Sequence, residues 1–107
     1  NSTTGWITSQ KGNIIKTTDA GNSWFEQISN VTNTLNDIYF LNENLGYAVG
    51  FEGTLLKTTD GGENWVKQDS VTNQNLHSVF FYNENIFRIL SFCLFGFCSI
   101  KLYFTLR

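Results

Sequence analysis

Two aspartates, Asp19 and Asp60, are the residues whose repetition first suggests chemistry in this sequence. Each lies in the pattern Ser/Thr-x-Asp-x-Gly-x-x-Trp, and a carboxylate can act as an acid, a base or a hydrogen-bond acceptor. In a hairpin, the carboxylate can accept N–H groups of the turn, the glycine can take a positive φ, and the tryptophan can cover the turn with an apolar face. These roles are structural, so we predict no catalytic residue in the motif. Its positions are Thr17, Asp19, Gly21, Trp24, Thr58, Asp60, Gly62 and Trp65.

The motif belongs to a longer repeat, because the chain aligns with itself without gaps at an offset of 41 residues. One unit contains four short β-like runs joined by Gly, Asn and Asp, and no stretch has a sustained helical period. Adjacent apolar residues such as Leu55 and Leu56 require apolar cover on both faces of a small sheet. A four-stranded meander of about 40 residues, covered on both faces by its copies, is the blade of a β-propeller.

We therefore predict an all-β fold, an incomplete β-propeller with about two four-stranded antiparallel blades. Residues 1–34 are assigned to the last three strands of one blade and a link, residues 35–75 to a complete blade, and residues 76–86 to the first strand of a third. A closed ring of 4–8 blades would need roughly 160 to 330 residues at this period. We therefore expect a fragment of a larger propeller, or self-association that completes the ring.

The repeat pattern fails at residue 87, and residues 87–107 are predicted to form an apolar, off-pattern tail. The period requires glycine at 87, where the sequence instead has Phe87, and a reading-frame disruption near codon 86 would explain the change. The uncharged run Ile89–Ile100 has 12 residues, against about 20 needed to span a bilayer. Membrane contact through the tail is therefore the weaker alternative. Both cysteines, Cys93 and Cys98, lie in this tail and are expected to be inert thiols.

The composition argues against several classes of partner. Seven Lys and Arg and nine Asp and Glu give a net charge of −2, and the absence of a basic cluster argues against nucleic acid. No cofactor and no metal are predicted, because His77 has no matched cluster of Cys, His or carboxylates. We expect His77 to be structural or at the surface, and Tyr39 and Tyr47 to lie in the core rather than act as nucleophiles.

The repeat resembles a known family over about residues 5–86. The Gly-Tyr-Ala-Val-Gly run at 46–50, the Gly-Thr-Leu-Leu-Lys-Thr-Thr-Asp-Gly-Gly run at 53–62 and Trp65 are similar to repeats of the photosystem II stability and assembly factor family. The aspartate motif itself resembles the Asp-box, or bacterial neuraminidase repeat. The resemblance implies a propeller that acts as a non-enzymatic protein-binding or assembly scaffold. It also implies an extracytoplasmic location, which would be secreted, periplasmic or similar to the thylakoid lumen.

Two alternatives stay open. The family's role is attributed to arginines on one propeller face, and residues 5–86 contain no arginine. One alternative is therefore a secreted or cell-surface repeat protein with no photosynthetic role. The other is a set of scaffold blades from a truncated sialidase-like glycoside hydrolase, because residues 87–90 resemble a Phe-Arg-Ile-Pro motif. However, Leu90 replaces the proline, the motif follows the Asp-boxes, and only Arg107 remains for the required arginine triad, so we predict no enzymatic activity.

A protein partner is expected, and it would meet the loops that differ between copies of the repeat. Strands of a meander alternate in direction, so the turn after the second strand and the links between blades share one rim. The Asp-box turns lie on the opposite rim. Lys11 in the first copy aligns with Glu52 in the second, which shows the variation. The candidate partner-binding rim is therefore Lys11, Phe51 and Glu52.

Overall fold

A computed structural model describes residues 3–70, 72–83, 86–91, 93–94, 97–98 and 101–105 of the chain. The regular elements in these residues are β-strands and two single-turn 3₁₀ helices, Gln10–Gly12 and Phe51–Gly53. The predicted all-β class is therefore confirmed. Among the described residues, no helix has the length and hydrophobicity needed to cross a bilayer.

Two antiparallel sheets follow one another along the first 70 residues. The first sheet has the strand order β1 (Gly5–Thr8), β2 (Ile14–Thr17) and β3 (Phe25–Gln27). The second sheet is a four-stranded meander of β4 (Leu35–Phe40), β5 (Gly46–Gly50), β6 (Leu55–Thr58) and β7 (Val66–Lys67). In both sheets a 3₁₀ turn precedes the strand that leads into the aspartate motif.

A third sheet contains β8 (Leu76–Asn83), β9 (Ile86–Ser91) and β12 (Lys101–Thr105), with β9 in the centre. A separate short hairpin is formed by β10 (Cys93–Leu94) and β11 (Phe97–Cys98), in which Cys93 and Cys98 are register partners.

Strand β9 differs from the sequence analysis, which placed residues 87–91 in an off-pattern tail. These residues pair with β8 in antiparallel register, with Val79 opposite Ile89. The strand forms without the repeat's glycines because β-branched and aromatic residues favour a half-buried sheet surface, and Ile89 is fully buried. Positions 92, 95–96, 99–100 and 106–107 of the tail lie outside the described residues. Membrane contact by the tail, like the blade boundaries, stays a prediction.

The second sheet is buried on both faces, as the adjacent pair Leu55 and Leu56 predicted. Leu55 faces the third sheet and Leu56 faces the first sheet. The cluster toward the third sheet consists of Tyr47, Val49, Leu55, Leu76, Val79, Phe81 and Ile89. The cluster toward the first sheet consists of Ile14, Leu35, Ala48, Leu56 and Trp65. Each sheet thus depends on a neighbouring repeat for apolar cover, which short sheets need for stability.

Aromatic rings extend both clusters to the ends of the strands. Trp6 of the first sheet stacks on Phe40 of the second, with ring centroids 3.5 Å apart. Phe40 also meets Trp65 edge to face at 5.8 Å. On the other side, Tyr39 stacks on Phe81 at 5.3 Å. Tyr39 and Phe40 therefore cover opposite faces of the second sheet, which explains why two aromatic residues are adjacent in β4.

One backbone carbonyl joins the first two sheets. The carbonyl oxygen of Gly61, in the turn of the second aspartate motif, accepts hydrogen bonds from three side chains of the first sheet. The donors are Trp6 Nε1 at 3.1 Å, Lys16 Nζ at 3.2 Å and Gln27 Nε2 at 3.1 Å. We name this arrangement the carbonyl clamp. It fixes the turn of one repeat against the preceding one.

The glycines of the two motifs, Gly21 and Gly62, differ in whether they contact a neighbouring sheet. Gly21 and Gly62 have nearly the same positive φ, 89° and 93°. A Cβ on Gly21 would meet only the Trp24 ring, at 3.7 Å, whereas a Cβ on Gly62 would overlap the side-chain amide of Gln27. The backbone strain of an added side chain is therefore shared, and the clash with the first sheet is specific to Gly62.

We predict that Gly62→Ala destabilises the chain more than Gly21→Ala does. Both variants carry the strain of a positive φ, about 1–3 kcal/mol. Gly62→Ala must in addition displace Gln27, which is expected to cost a further 1–3 kcal/mol or so. Urea unfolding of the two variants measures the difference. Equal losses of stability would contradict the described packing between the sheets.

Candidate functional site

The first aspartate motif forms a hydrogen-bonded turn between β2 and β3. The Thr17 hydroxyl donates to Asp19 Oδ1 at 2.8 Å and accepts the Gly21 N–H at 2.9 Å. Asp19 Oδ1 also accepts the Ser23 N–H at 2.8 Å, and Oδ2 accepts the Ser23 hydroxyl at 2.5 Å. Both carboxylate oxygens thus accept hydrogen bonds from within the turn.

The second motif repeats this network between β6 and β7. The Thr58 hydroxyl donates to Asp60 Oδ1 at 2.8 Å and accepts the Gly62 N–H at 2.9 Å. Asn64 takes the place of the serine, with its N–H 2.9 Å from Oδ1 and its side-chain amide 2.7 Å from Oδ2. The same geometry is therefore built with a different donor.

These hydrogen bonds stabilise the ionised carboxylates. They lower the pKa of Asp19 and of Asp60 from 3.8 to about 2. The largest cause is the Ser23 hydroxyl for Asp19 and the Asn64 side-chain amide for Asp60. A carboxyl group with such a pKa is ionised near neutral pH, so it has no proton to donate as a general acid and is a weak base.

The two motif tryptophans lie in different surroundings. Trp65 is 3% exposed and belongs to the cluster between the first and second sheets. Trp24 is 40% exposed, and its indole N–H donates to the Gly21 carbonyl at 3.1 Å. The motif sequence is therefore compatible with both environments, and the neighbouring sheet decides which one is adopted.

The candidate rim residues lie in the two 3₁₀ turns. Lys11 and Glu52 occupy equivalent positions, both with left-handed backbone conformations, φ 62° and φ 59°. Both side chains are exposed, and Phe51 is 39% exposed. Neighbouring copies of the repeat therefore present a cation and an anion at the same place in the turn.

Links between the sheets join these turns. The Leu35 N–H donates to the Ser9 carbonyl beside the first turn, and the Phe51 N–H donates to the Thr34 carbonyl at 2.9 Å. Residues 34 and 35 thus contact both turns.

Glu52 in the second turn is hydrogen-bonded to the links on both sides of the second sheet, through Asn33 before the sheet and Asn75 after it. The Glu52 N–H donates to Asn75 Oδ1 at 3.0 Å, and Asn33 Nδ2 donates to Glu52 Oε2 at 3.2 Å. The rim is therefore a connected surface in which the backbones of the turns and the Glu52 side chain are hydrogen-bonded to the links.

Two tyrosines and one histidine were the other residues considered for a chemical role. Tyr47 is buried, and burial raises its pKa to about 12. Tyr39, expected in the core, is instead 36% exposed, because it lies at the edge of the second sheet where it stacks on Phe81. His77 is exposed on β8. Within the described part of the chain, no group of three or more His, Cys, Asp or Glu side chains could hold a metal ion.

Sequence reasoning missed the carbonyl clamp, although its signal was present. Lys16 and Gln27 recur as Lys57 and Gln68 at the repeat offset. The Lys16 amine and the Gln27 amide reach the carbonyl of Gly61 in the next repeat. The recurrence of these two polar residues was therefore the signal in the sequence that could have indicated a contact between repeats.

Lowering the pH is expected to weaken both turns. The folded pKa values of about 2 lie below the ordinary value of 3.8, so in acid the unfolded chain binds more protons than the folded one. The contribution of the two carboxylates is thus complete above about pH 4 and is lost as the pH falls through about 2. NMR titration of the side-chain carboxyl carbons measures both values. Asn64→Ala should raise the pKa of Asp60 and leave that of Asp19 unchanged, whereas ordinary values for both in the unaltered chain would refute the turn network.

Comparison with solved structures identifies the architecture. YCF48 from Cyanidioschyzon merolae superimposes with a TM-score of 0.79 and 17% identity, covering 98% of this chain and 34% of that protein. A structure described as YCF48 bound to D1 peptide gives a TM-score of 0.72 with 20% identity, covering 85% of this chain and 31% of that protein. The chain thus spans about a third of each solved structure. The predicted incomplete β-propeller is confirmed.

Comparison of sequences gives the family. No curated protein sequence matches the chain at a significant level. The family profile described as Photosynthesis system II assembly factor YCF48 matches residues 25–91. This range includes the whole second sheet, both rim residues of the second turn and strand β9. Because the profile covers more than half of the chain, this protein belongs to the photosystem II assembly factor YCF48 family.

Proposed function

We propose that this chain is a non-enzymatic, protein-binding segment of a β-propeller, and that it acts as a scaffold in photosystem II assembly. The observation that carries the proposal is the match to the YCF48 family over residues 25–91. One solved protein of the same fold is described as bound to a D1 peptide, which supports a D1 peptide as the partner. The proposed location is extracytoplasmic, as the family resemblance implies.

The binding surface proposed for this peptide is the rim formed by Lys11, Phe51 and Glu52. Phe51 is a half-exposed aromatic ring next to Glu52, and Lys11 lies at the equivalent position of the neighbouring turn. Such a surface suits a peptide that carries an apolar anchor and polar neighbours. The turns are bonded to the links between the sheets, as in the contact of Asn33 with Glu52. A surface held in place in this way loses little conformational entropy when it binds.

The absence of enzymatic activity is proposed from the chemistry of the motif aspartates. Asp19 and Asp60 each accept hydrogen bonds from their own turn, and their pKa values of about 2 suit neither a general acid nor an effective base near neutral pH. Tyr47 is buried, with a pKa of about 12, which leaves its hydroxyl protonated and removed from solvent. These side chains support a structural role over the sialidase-like alternative.

We predict that Phe51→Ala weakens the binding of a synthetic D1 peptide about tenfold, because an aromatic anchor at an interface contributes about 1–2 kcal/mol. Lys11→Ala and Glu52→Ala are expected to change affinity by a smaller factor and to alter its dependence on salt, since exposed charges act mainly on association. Isothermal titration calorimetry at two ionic strengths measures these effects.

Matched controls come from the same chain. Phe25 is 49% exposed on the outer strand of the first sheet, and Glu63 is exposed on the Asp-box turn at the opposite rim. Phe25→Ala and Glu63→Ala should leave the affinity unchanged. The rim assignment is refuted if these controls weaken binding as much as Phe51→Ala, and the proposed partner is refuted if the unaltered chain binds no D1 peptide.

A further inference from the structure

Two cysteines lie at directly opposite positions of a short antiparallel hairpin. Strand β10 (Cys93–Leu94) pairs with β11 (Phe97–Cys98), and the register places Cys93 opposite Cys98. They are the only cysteines in the sequence. From the sequence alone these residues form an off-pattern tail, in which inert thiols are expected. Their register in the hairpin makes them candidates for a covalent bond with each other.

The backbone spacing of such a pair is compatible with a disulfide. Residues directly opposite in an antiparallel pair have Cα atoms about 4.5 or about 5.5 Å apart, depending on whether the pair is hydrogen-bonded. A disulfide needs Cα atoms about 4.4–6.8 Å apart. Both kinds of pair lie within this range, so the bond requires no change of strand register.

The same register continues through a longer pair of strands. Leu90 of β9 lies opposite Lys101 of β12, and three steps along each strand lead from this pair to Cys93 and Cys98. We name the four strands β9 to β12 the cysteine hairpin. A bond between the two cysteines therefore joins the strands in the register that β9 and β12 already have.

Strand β9 is the part of the cysteine hairpin that belongs to the core. It lies between β8 and β12 in the third sheet, and its residue Ile89 is fully buried. Among the described strands, β12 pairs with β9 alone. A strand with one neighbour opens more readily than a central strand. A covalent link at the end of the hairpin would thus hold β12 to a strand that the core fixes.

We propose that Cys93 and Cys98 form a reversible disulfide that fastens β12 to β9. The bond closes a loop of six residues, which removes conformational freedom from the opened hairpin and so favours the paired strands. The extracytoplasmic location proposed above is one in which disulfides form and persist. The bond uses none of the rim residues, so it does not depend on peptide binding.

Oxidised glutathione belongs to the class of disulfides that can oxidise this pair. One cysteine thiolate attacks a glutathione sulfur, forms a mixed disulfide and releases one molecule of glutathione. The second cysteine thiolate then attacks the sulfur of the first cysteine and releases the other molecule. The cysteines lose two electrons and two protons, and one oxidised glutathione becomes two reduced molecules. Because the second step is intramolecular, the register partner reacts faster than a thiol from solution.

Equilibration of the unaltered chain with defined ratios of reduced to oxidised glutathione tests the proposal. After acid quenching, free thiols are alkylated with N-ethylmaleimide, and trypsin cleaves after Arg88 and Lys101, which leaves both cysteines in the peptide 89–101. We expect this peptide to be unalkylated and lighter by two hydrogen atoms, in a chain that stays monomeric. Hydrogen exchange at residues 101–105 should be at least about tenfold slower in the oxidised chain than in the reduced one.

A variant with the same number of thiols separates register from chance. Cys98→Ser combined with Thr105→Cys keeps two cysteines, but Thr105 lies opposite Ile86 and not opposite Cys93. Its bond within the chain should require a ratio at least about tenfold more oxidising. Cys93→Ser alone should form at most a mixed disulfide with glutathione. The measurement on the unaltered chain needs no substitution, so it does not depend on the folding of these variants.

Alkylation of both cysteines at every glutathione ratio would overturn the proposal. A disulfide that forms only between two chains, or a mixed disulfide with glutathione as the end product, would also overturn it, because either shows that the cysteines are not held opposite each other. A disulfide within the chain that leaves hydrogen exchange at residues 101–105 unchanged excludes the fastening of β12 to β9. Peptide binding at the rim is measured separately, so failure of either proposal leaves the other interpretable.

Discussion

Each sheet of this protein packs an apolar face against a neighbouring sheet, and the rest of the structure depends on this constraint. The strands have only two to eight residues, too short for an isolated sheet to be stable in water. The second sheet meets the requirement with Leu55 on one face and Leu56 on the other. The carbonyl clamp adds direction to this apolar packing, because donors from one repeat converge on Gly61 in the next. Hydrophobic contact thus brings repeats together, and the clamp fixes how they are aligned.

Much of this arrangement could be predicted from the sequence because the repeat is strict. The offset of 41 residues located the hairpins, and the adjacent leucines revealed that both faces are covered. The clamp could not be predicted in the same way, because Lys16 and Trp6 lie 45 and 55 positions before the Gly61 carbonyl to which they donate. The different exposure of Trp24 and Trp65 was also hidden, since identical motifs acquire different burial from their neighbours. Strand β9 was missed because pairing with β8 and burial of Ile89 replaced the glycine pattern.

In the candidate site, the Asp-box residues repeat between copies, whereas the rim side chains vary. The Asp-box residues repeat because the turn needs them, and their hydrogen bonds account for the low pKa values of both aspartates. The rim side chains vary because the 3₁₀ turns need only a left-handed residue before glycine, which Lys11 and Glu52 both supply. Sequence variation at a structurally fixed position is what allows one scaffold to recognise different partners. The exposure and contacts of these side chains required the structure.

We propose that the variable rim, and not the Asp-box turns, binds the protein partner. Mapping of backbone amide chemical shifts during titration with a D1 peptide distinguishes the two surfaces. We expect shifts concentrated in residues 10–12, 51–53 and 72–75, with the turns at 19–23 and 60–64 unaffected. Shifts concentrated in the Asp-box turns, or no shifts at saturating peptide, would contradict it.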